Sequence, residues 1–251
     1  MNPQALVRAV HAPSDLNRLL QGPGASAPDV AVVVDVLRAT TTLIHAFAHG
    51  AHAARAFATA EEARAAARTL PDGSFLLCGE QGSVRIPGFD CGNSPGEFTP
   101  AVVRGRTLLV ATTNGAPALV RTRCARRQML GAFVNLSAVV VRVREALQGG
   151  GEVWLVAAGK ENGPAAEDTA CVQAIEAALV RAGCVAARSG PDAGEVSLEP
   201  AALERFLSGT EHGRAMLAID PVFAQDIADA AQVDRFAVVP EGRGGELYGG
   251  G

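Results

Sequence analysis

Apolar positions in this chain fall into short blocks divided by small polar turns, and the spacing within the blocks alternates between two patterns. Five of the seven residues at 30–36 are valine, a run with no polar face, which predicts a strand buried on both sides. Shorter apolar runs at 6–10, 51–57, 74–78, 106–111, 129–133, 152–157 and 236–239 predict further strands. Helical stretches lie between and after them, at 16–20, 40–48, 61–69, 116–122, 136–147, from 165 onward, and at 200–207, 213–217 and 222–230. Strand, turn and helix recur as a unit without a sequence repeat of fixed period. That order predicts an α/β fold, a mainly parallel or mixed sheet with helices on both faces. Residues 1–241 read as one α/β domain, or two α/β lobes, and the glycine-rich 242–251 as a disordered tail.

The helix boundaries are well signalled. Ser14-Asp15 caps the first helix and Gly22-Pro23-Gly24 ends it, while Thr40, Thr41 and Thr42 stand where N-caps are expected. Ser94-Pro95 with Glu97 has the spacing of a capping box. The stretch 183–199 turns polar and glycine-rich, as a loop would.

In parallel sheets, ligands bind outside the carboxyl ends of the strands. Five predicted strand ends carry polar or ionisable side chains: Asp35 and Arg38; Glu80; Thr112 to Asn114; Asn135; and Lys160 to Asp168. Each alone reads as turn chemistry, Asp35 capping a turn and Arg38 pairing with a surface carboxylate. Together on one edge they read as an anion and metal site. Asp35, Glu80 and one of Glu161, Glu167 or Asp168 suit a hard cation such as Mg²⁺. Arg38 suits a bidentate phosphate clamp, with Lys160 as a second point charge. Thr113, Asn114 and Gly115 form a strand-turn-helix segment whose amides can face an anion.

Composition narrows the partners. A formal charge of −4 and 4% aromatic residues argue against a nucleic-acid platform. No apolar run approaches the ~20 residues that span a bilayer, and a cytoplasmic protein is expected. The five cysteines lack CxxC spacing and read as reduced thiols, Cys171 in the core. Lys160 is the one lysine among 22 basic residues. His45, His49 and His52 have a weak metal-ligand spacing that Gly50 interrupts, and a solvated or partly buried helix face is the better reading. His212 is a candidate acid or base.

Val33 to Thr41, Gly79-Glu80, Gly88-Phe89-Asp90 with Gly92-Asn93-Ser94-Pro95, Thr112 to Gly115, Asn135 and Glu167-Asp168 occur in that order. The set resembles the 2-phosphosulfolactate phosphatase family, from about residue 30 to Pro240. The resemblance implies a Mg²⁺-dependent hydrolysis of 2-phosphosulfolactate to 3-sulfolactate and phosphate, a step of coenzyme M biosynthesis. Asp35, Arg38, Glu80, Asn93, Ser94, Asn114 and Asp168 fall in the matching motifs. From their chemistry Asp35, Arg38 and Asp168 are the catalytic candidates, and Asp35, Glu80, Glu167 and Asp168 the metal candidates. Arg38, Thr40, Asn93, Ser94, Thr113, Asn114, Gly115, Asn135 and Lys160 become the substrate-binding candidates. A small anionic phosphoester is the expected partner, with no nucleic acid and no membrane, and a homodimer is the assembly to test. Phosphatase action on another phosphorylated hydroxy acid, and metal-free binding of a phosphometabolite without turnover, are the alternatives.

Overall fold

The computed structural model describes residues 6–22, 26–185 and 196–250. The chain runs β1 (Leu6–Val10), α1 (Pro13–Gln21), β2 (Val30–Val34), α2 (Ala39–Ala48), β3 (Ala53–Ala56), α3 (Ala60–Ala67), β4 (Phe75–Gln81) and β5 (Val84–Arg85). It continues through α4 (Pro100–Val103), β6 (Thr107–Ala111), α5 (Gly115–Arg121), β7 (Arg127–Gly131), α6 (Leu136–Gln148), β8 (Glu152–Ala157) and α7 (Ala166–Arg181). The last part holds α8 (Pro200–Gly209), α9 (Glu211–Ile219), α10 (Ala224–Ala230), β9 (Glu241–Arg243) and β10 (Glu246–Tyr248). Most of the expected loop at 183–199, and the Pro23-Gly24 stop, lie outside the described residues.

All ten strands join one mixed sheet in the order β1-β8-β2-β7-β9-β10-β3-β6-β4-β5. The valine run is its buried axis: Val30 to Val34 are at most 2% exposed, each burial being worth about 1.5–3 kcal/mol for a valine-sized side chain. Val30, Val32 and Val34 face a core shared with α6 and α7. Val33 faces the other side, in a core shared with α2 and α5. The strand alternation thus covers both sheet faces with helices, as the sequence implied.

The glycine-rich end is not a tail. β9 and β10 form a hairpin that pairs antiparallel with β7 on one side and β3 on the other. This hairpin joins a parallel block of β1, β8, β2 and β7 to a second parallel block of β3, β6 and β4. The glycines have geometric work there. Gly244 and Gly245 have φ of 63° and 90°, the two positive values that a two-residue primed turn demands. A Cβ on Gly242 would stand 1.8 Å from the Glu246 carbonyl oxygen. The composition that suggested disorder is what lets two strands reverse in two residues.

Three successive antiparallel pairings make the two blocks run in opposite senses. Six strand steps separate β2 from β4, and a twist of about 20–25° per step accumulates to roughly 120–150°. That rotation swings the carboxyl end of β4 back toward that of β2. Residues 236–239, expected as a strand, pair with no strand. Phe236 N–H donates to the Val134 carbonyl at 2.8 Å, and the Asn135 side chain donates to the Val238 carbonyl at 3.0 Å.

Leu247, 2% exposed in the hairpin, anchors this junction. Leu247→Ala is expected to cost about 2–5 kcal/mol, and truncation after Pro240 to abolish cooperative thermal unfolding. A truncated chain that melts like the intact one would show that the hairpin contributes nothing.

Candidate active site

The turn after β2 places Asp35 and Arg38, and the following threonines hold that turn rather than capping the helix. Thr40 Oγ1 accepts from Asp35 N–H at 2.9 Å and lies 2.8 Å from the Gly131 carbonyl. Thr41 and Thr42 donate to the Val36 and Asn93 carbonyls, each at 2.8 Å. Thr40 is fully buried, so its hydroxyl is committed to the backbone and does not face a substrate. The N-cap position of α2 is Arg38, and the Leu37–Arg38 peptide is cis.

Asp168 closes the turn from the other side. Its carboxylate accepts from Val36 N–H at 2.8 Å and Gly159 N–H at 3.0 Å, tying the ends of β2 and β8 together. Burial, then the charges of Asp35 and Glu167, push its carboxyl well above the ordinary range. Glu167 is engaged by His212 Nδ1 at 3.1 Å. Burial pushes Asp35 up to about 6, against the opposing charge of His212. Asp35 Oδ1 accepts from Ala39 N–H at 3.2 Å, and Oδ2 has no hydrogen bond among the described residues. Gly115 makes room for it, since a Cβ there would stand 2.5 Å from Asp35 Oδ2.

Glu80, at the end of β4, accepts from Thr113 N–H at 2.8 Å, Ser83 N–H at 2.7 Å and the Thr113 hydroxyl at 3.1 Å. Thr113 therefore positions Glu80. Asp35, Arg38, Glu80, Asn93, Thr113 and Asn114 line one cavity of about 380 Å³. Its far wall brings Lys160 and Glu161, with His212, Ala215 and Ile219 from α9. The candidates outside that lining are Thr40, Ser94, Gly115, Asn135, Glu167 and Asp168, which brace it or stand apart. Asn135 is fully buried and bonds the Ala132 N–H and the Leu130 and Val238 carbonyls, so it shapes the backbone instead of binding substrate. Ser94 does not cap its short helix through its hydroxyl, which bonds Arg38 and Asp226 instead.

Among the described residues, no group of three or more His, Cys, Asp and Glu could by itself hold a metal ion. Of the three carboxylates expected to complete the site, Glu161 lines the cavity, while Glu167 is engaged by His212 and Asp168 by two backbone amides. The histidines at 45, 49 and 52 do not converge as ligands. His45 packs edge-on against Phe236 at 4.7 Å, and His49 Nδ1 meets the Phe98 carbonyl at 2.7 Å.

Charge in the cavity is unevenly divided. Asp35, Glu80 and Glu161 bring three carboxylates. Arg38 and Lys160 are each already paired, with Asp226 and Glu211, both at 2.7 Å. Asp226, Glu211 and Phe223, which stacks on Arg38, escaped the sequence reading. They come from a helical segment with no polar motif. The signal available was an acid, Asp226, beside Ile227 in an otherwise core-forming helix.

A sequence model described as 2-phosphosulpholactate phosphatase matches residues 19–245. The chain belongs to that family. By family it is a phosphoric monoester hydrolase. It is 41% identical over 226 residues to a probable 2-phosphosulfolactate phosphatase of Synechococcus sp. (strain JA-3-3Ab), covering 88% of this chain and 91% of the relative. A protein of the same description from Synechococcus sp. (strain JA-2-3B'a(2-13)) is 39% identical over 228 residues, covering 88% and 91%. One from Prochlorococcus marinus (strain MIT 9313) is 35% identical over 226 residues, covering 87% and 90%. In this member of the family the cavity sits at strand ends from both sheet blocks. Among the described residues no helix is long and apolar enough to cross a membrane.

The buried His45 gives the fold an acid-sensitive point. Burial, with the charges of Arg235 and His49, lowers its pKa to about 4. A depressed histidine resists protonation in the folded state, so its contribution is intact above about 6.5 and is lost as pH falls from there to about 4. The full effect is roughly 3 kcal/mol at 1.4 kcal/mol per unit. His45→Leu is expected to lose less thermal stability than wild type between pH 6.5 and 4; parallel losses would contradict this.

Proposed function

We propose that this chain is a Mg²⁺-dependent phosphatase that hydrolyses 2-phosphosulfolactate to 3-sulfolactate and phosphate. The observation that carries the reading is the charge balance of the cavity. An anionic ester entering among Asp35, Glu80 and Glu161 meets repulsion, because the lining cations Arg38 and Lys160 are already paired with Asp226 and Glu211. A divalent cation resolves that conflict.

The donor set fits Mg²⁺, which binds through one or two carboxylates, waters and a substrate phosphate. Asp35, with Oδ2 uncommitted, and Glu80 would hold it. When bound, the ion supplies charge neutralisation and polarises a phosphoryl oxygen. The chain's own groups supply the rest. Arg38 binds phosphoryl oxygens, and Asn93 and Asn114 offer amide donors on the cavity wall. Lys160 can exchange exposed Glu211 for the second anionic group of the substrate.

In the reaction a water oxygen ends on phosphorus, the ester P–O bond breaks, and the departing oxygen takes a proton. His212 is the group placed to carry that proton. Its Nδ1 is fixed by Glu167, which leaves Nε2 without a hydrogen bond among the described residues. This carboxylate–histidine pairing sets the ring's orientation as in other acid–base sites.

Phosphate release from 2-phosphosulfolactate is expected to stop in EDTA and return with Mg²⁺. Asp35→Asn is expected to lose at least about 100-fold in kcat, and His212→Asn about 10²–10⁴-fold. Equal rates with and without EDTA, or an Asp35→Asn enzyme matching wild type, would overturn the proposal.

A further inference from the structure

Arg38 is held on several sides before any ligand arrives. Its Nη1 donates to Asp226 Oδ2 at 2.7 Å and to Ser94 Oγ at 3.0 Å. Nη2 donates to the Ser83 carbonyl at 3.0 Å, and the Phe223 ring centroid lies 4.3 Å from the guanidinium carbon. The Ser94 hydroxyl donates to the same Asp226 oxygen at 2.7 Å, which completes a closed triangle of three polar groups. The Arg38 and Asp226 side chains are 3% and 6% exposed.

A guanidinium has five N–H donors. Nη1 serves Asp226 and Ser94 and Nη2 serves Ser83; among the described residues no further hydrogen bond is made by Nε or by Nη2. Those two atoms share an edge of the plane, the fork that takes two oxygens of a phosphate. The cradle is assembled from distant parts of the chain: the turn after β2, the 82–94 loops, and the helical segment around α10.

We propose that Asp226 is a positioning residue. With Ser94 and Phe223 it fixes the guanidinium plane so that the remaining fork of Arg38 meets a phosphoryl group. The inference rests on the phosphatase reading for its ligand class. The sign of its effect separates aiming from charge. A second anion beside Arg38 weakens its pull on phosphate, so removing Asp226 for charge alone would tighten anion binding. Removing it as a positioning group weakens binding, because an unheld arginine must be ordered by the ligand itself.

The test is calorimetric binding of inorganic phosphate, with Mg²⁺ present, to the full chain and its variants. Asp226→Ala is expected to weaken binding at least about tenfold despite the lost negative charge. Asp226→Asn retains an acceptor oxygen for Arg38 and is expected to stay within about threefold of wild type. In an Arg38→Ala background, Asp226→Ala is expected to change affinity less than about twofold, because both act through one group. Should Asp226→Ala fail to fold, Ser94→Ala and Phe223→Leu carry the same expected direction. Phosphate bound by Asp226→Ala as tightly as by wild type, or more tightly, would overturn the proposal, as would effects that multiply in the double variant. Because no turnover is needed, failure to hydrolyse phosphoesters with these binding results intact would count against the phosphatase reading alone.

Discussion

Like charge gathered in a small buried volume is the condition that the site must satisfy. Asp35, Glu80, Glu167 and Asp168 bring four carboxylates to the ends of β2 and β4 and the start of α7, all at most 8% exposed. Burying a carboxylate is costly unless hydrogen bonds or opposite charge compensate. The protein meets that demand unequally. Backbone amides serve Asp168, amides and a hydroxyl serve Glu80, and a histidine serves Glu167. Asp35 is left with one oxygen, facing Gly115, that takes no hydrogen bond among the described residues. Asp35 and Glu80 stand on the cavity wall, while Glu167 and Asp168 lie behind it and brace the turn and α9.

The same division explains how the fold and site relate. Two parallel blocks of opposite sense would place their carboxyl ends apart in a flat sheet. Twist across the central hairpin brings Asp35 and Glu80 to one cavity; α9 covers it with His212, and Phe223 and Asp226, before and within α10, hold Arg38 from behind. The helical segment thus contributes both apolar packing through Leu203, Leu207 and Ile227 and polar contacts to Arg38, Glu167 and Lys160.

Much of this was legible in the sequence, for identifiable reasons. The valine run, the turn residues and the alternation of strand and helix report local chemistry, and local chemistry decided those elements. Asp35, Arg38, Glu80, Asn93 and Asn114 were legible as strand-end and loop polarity, and they do meet. Other residues were misread where a long-range partner decided the outcome. Gly242, Gly244 and Gly245 have the composition of disorder, but they serve a hairpin whose partners, β7 and β3, are more than a hundred residues away. Asn135 and Thr40 have the chemistry of ligands, yet nearby carbonyls and amides consume it. Asp226 carried no local motif, and its partner Arg38 lies 188 positions earlier.

Magnesium titration of the full chain, with and without inorganic phosphate, tests most directly whether crowded carboxylates make the anion site depend on a cation. Phosphate is expected to raise Mg²⁺ affinity, and Mg²⁺ to raise phosphate affinity by the same factor, with the coupling lost in Asp35→Asn. Phosphate bound equally well with no divalent cation, and unchanged by Asp35→Asn, would contradict it.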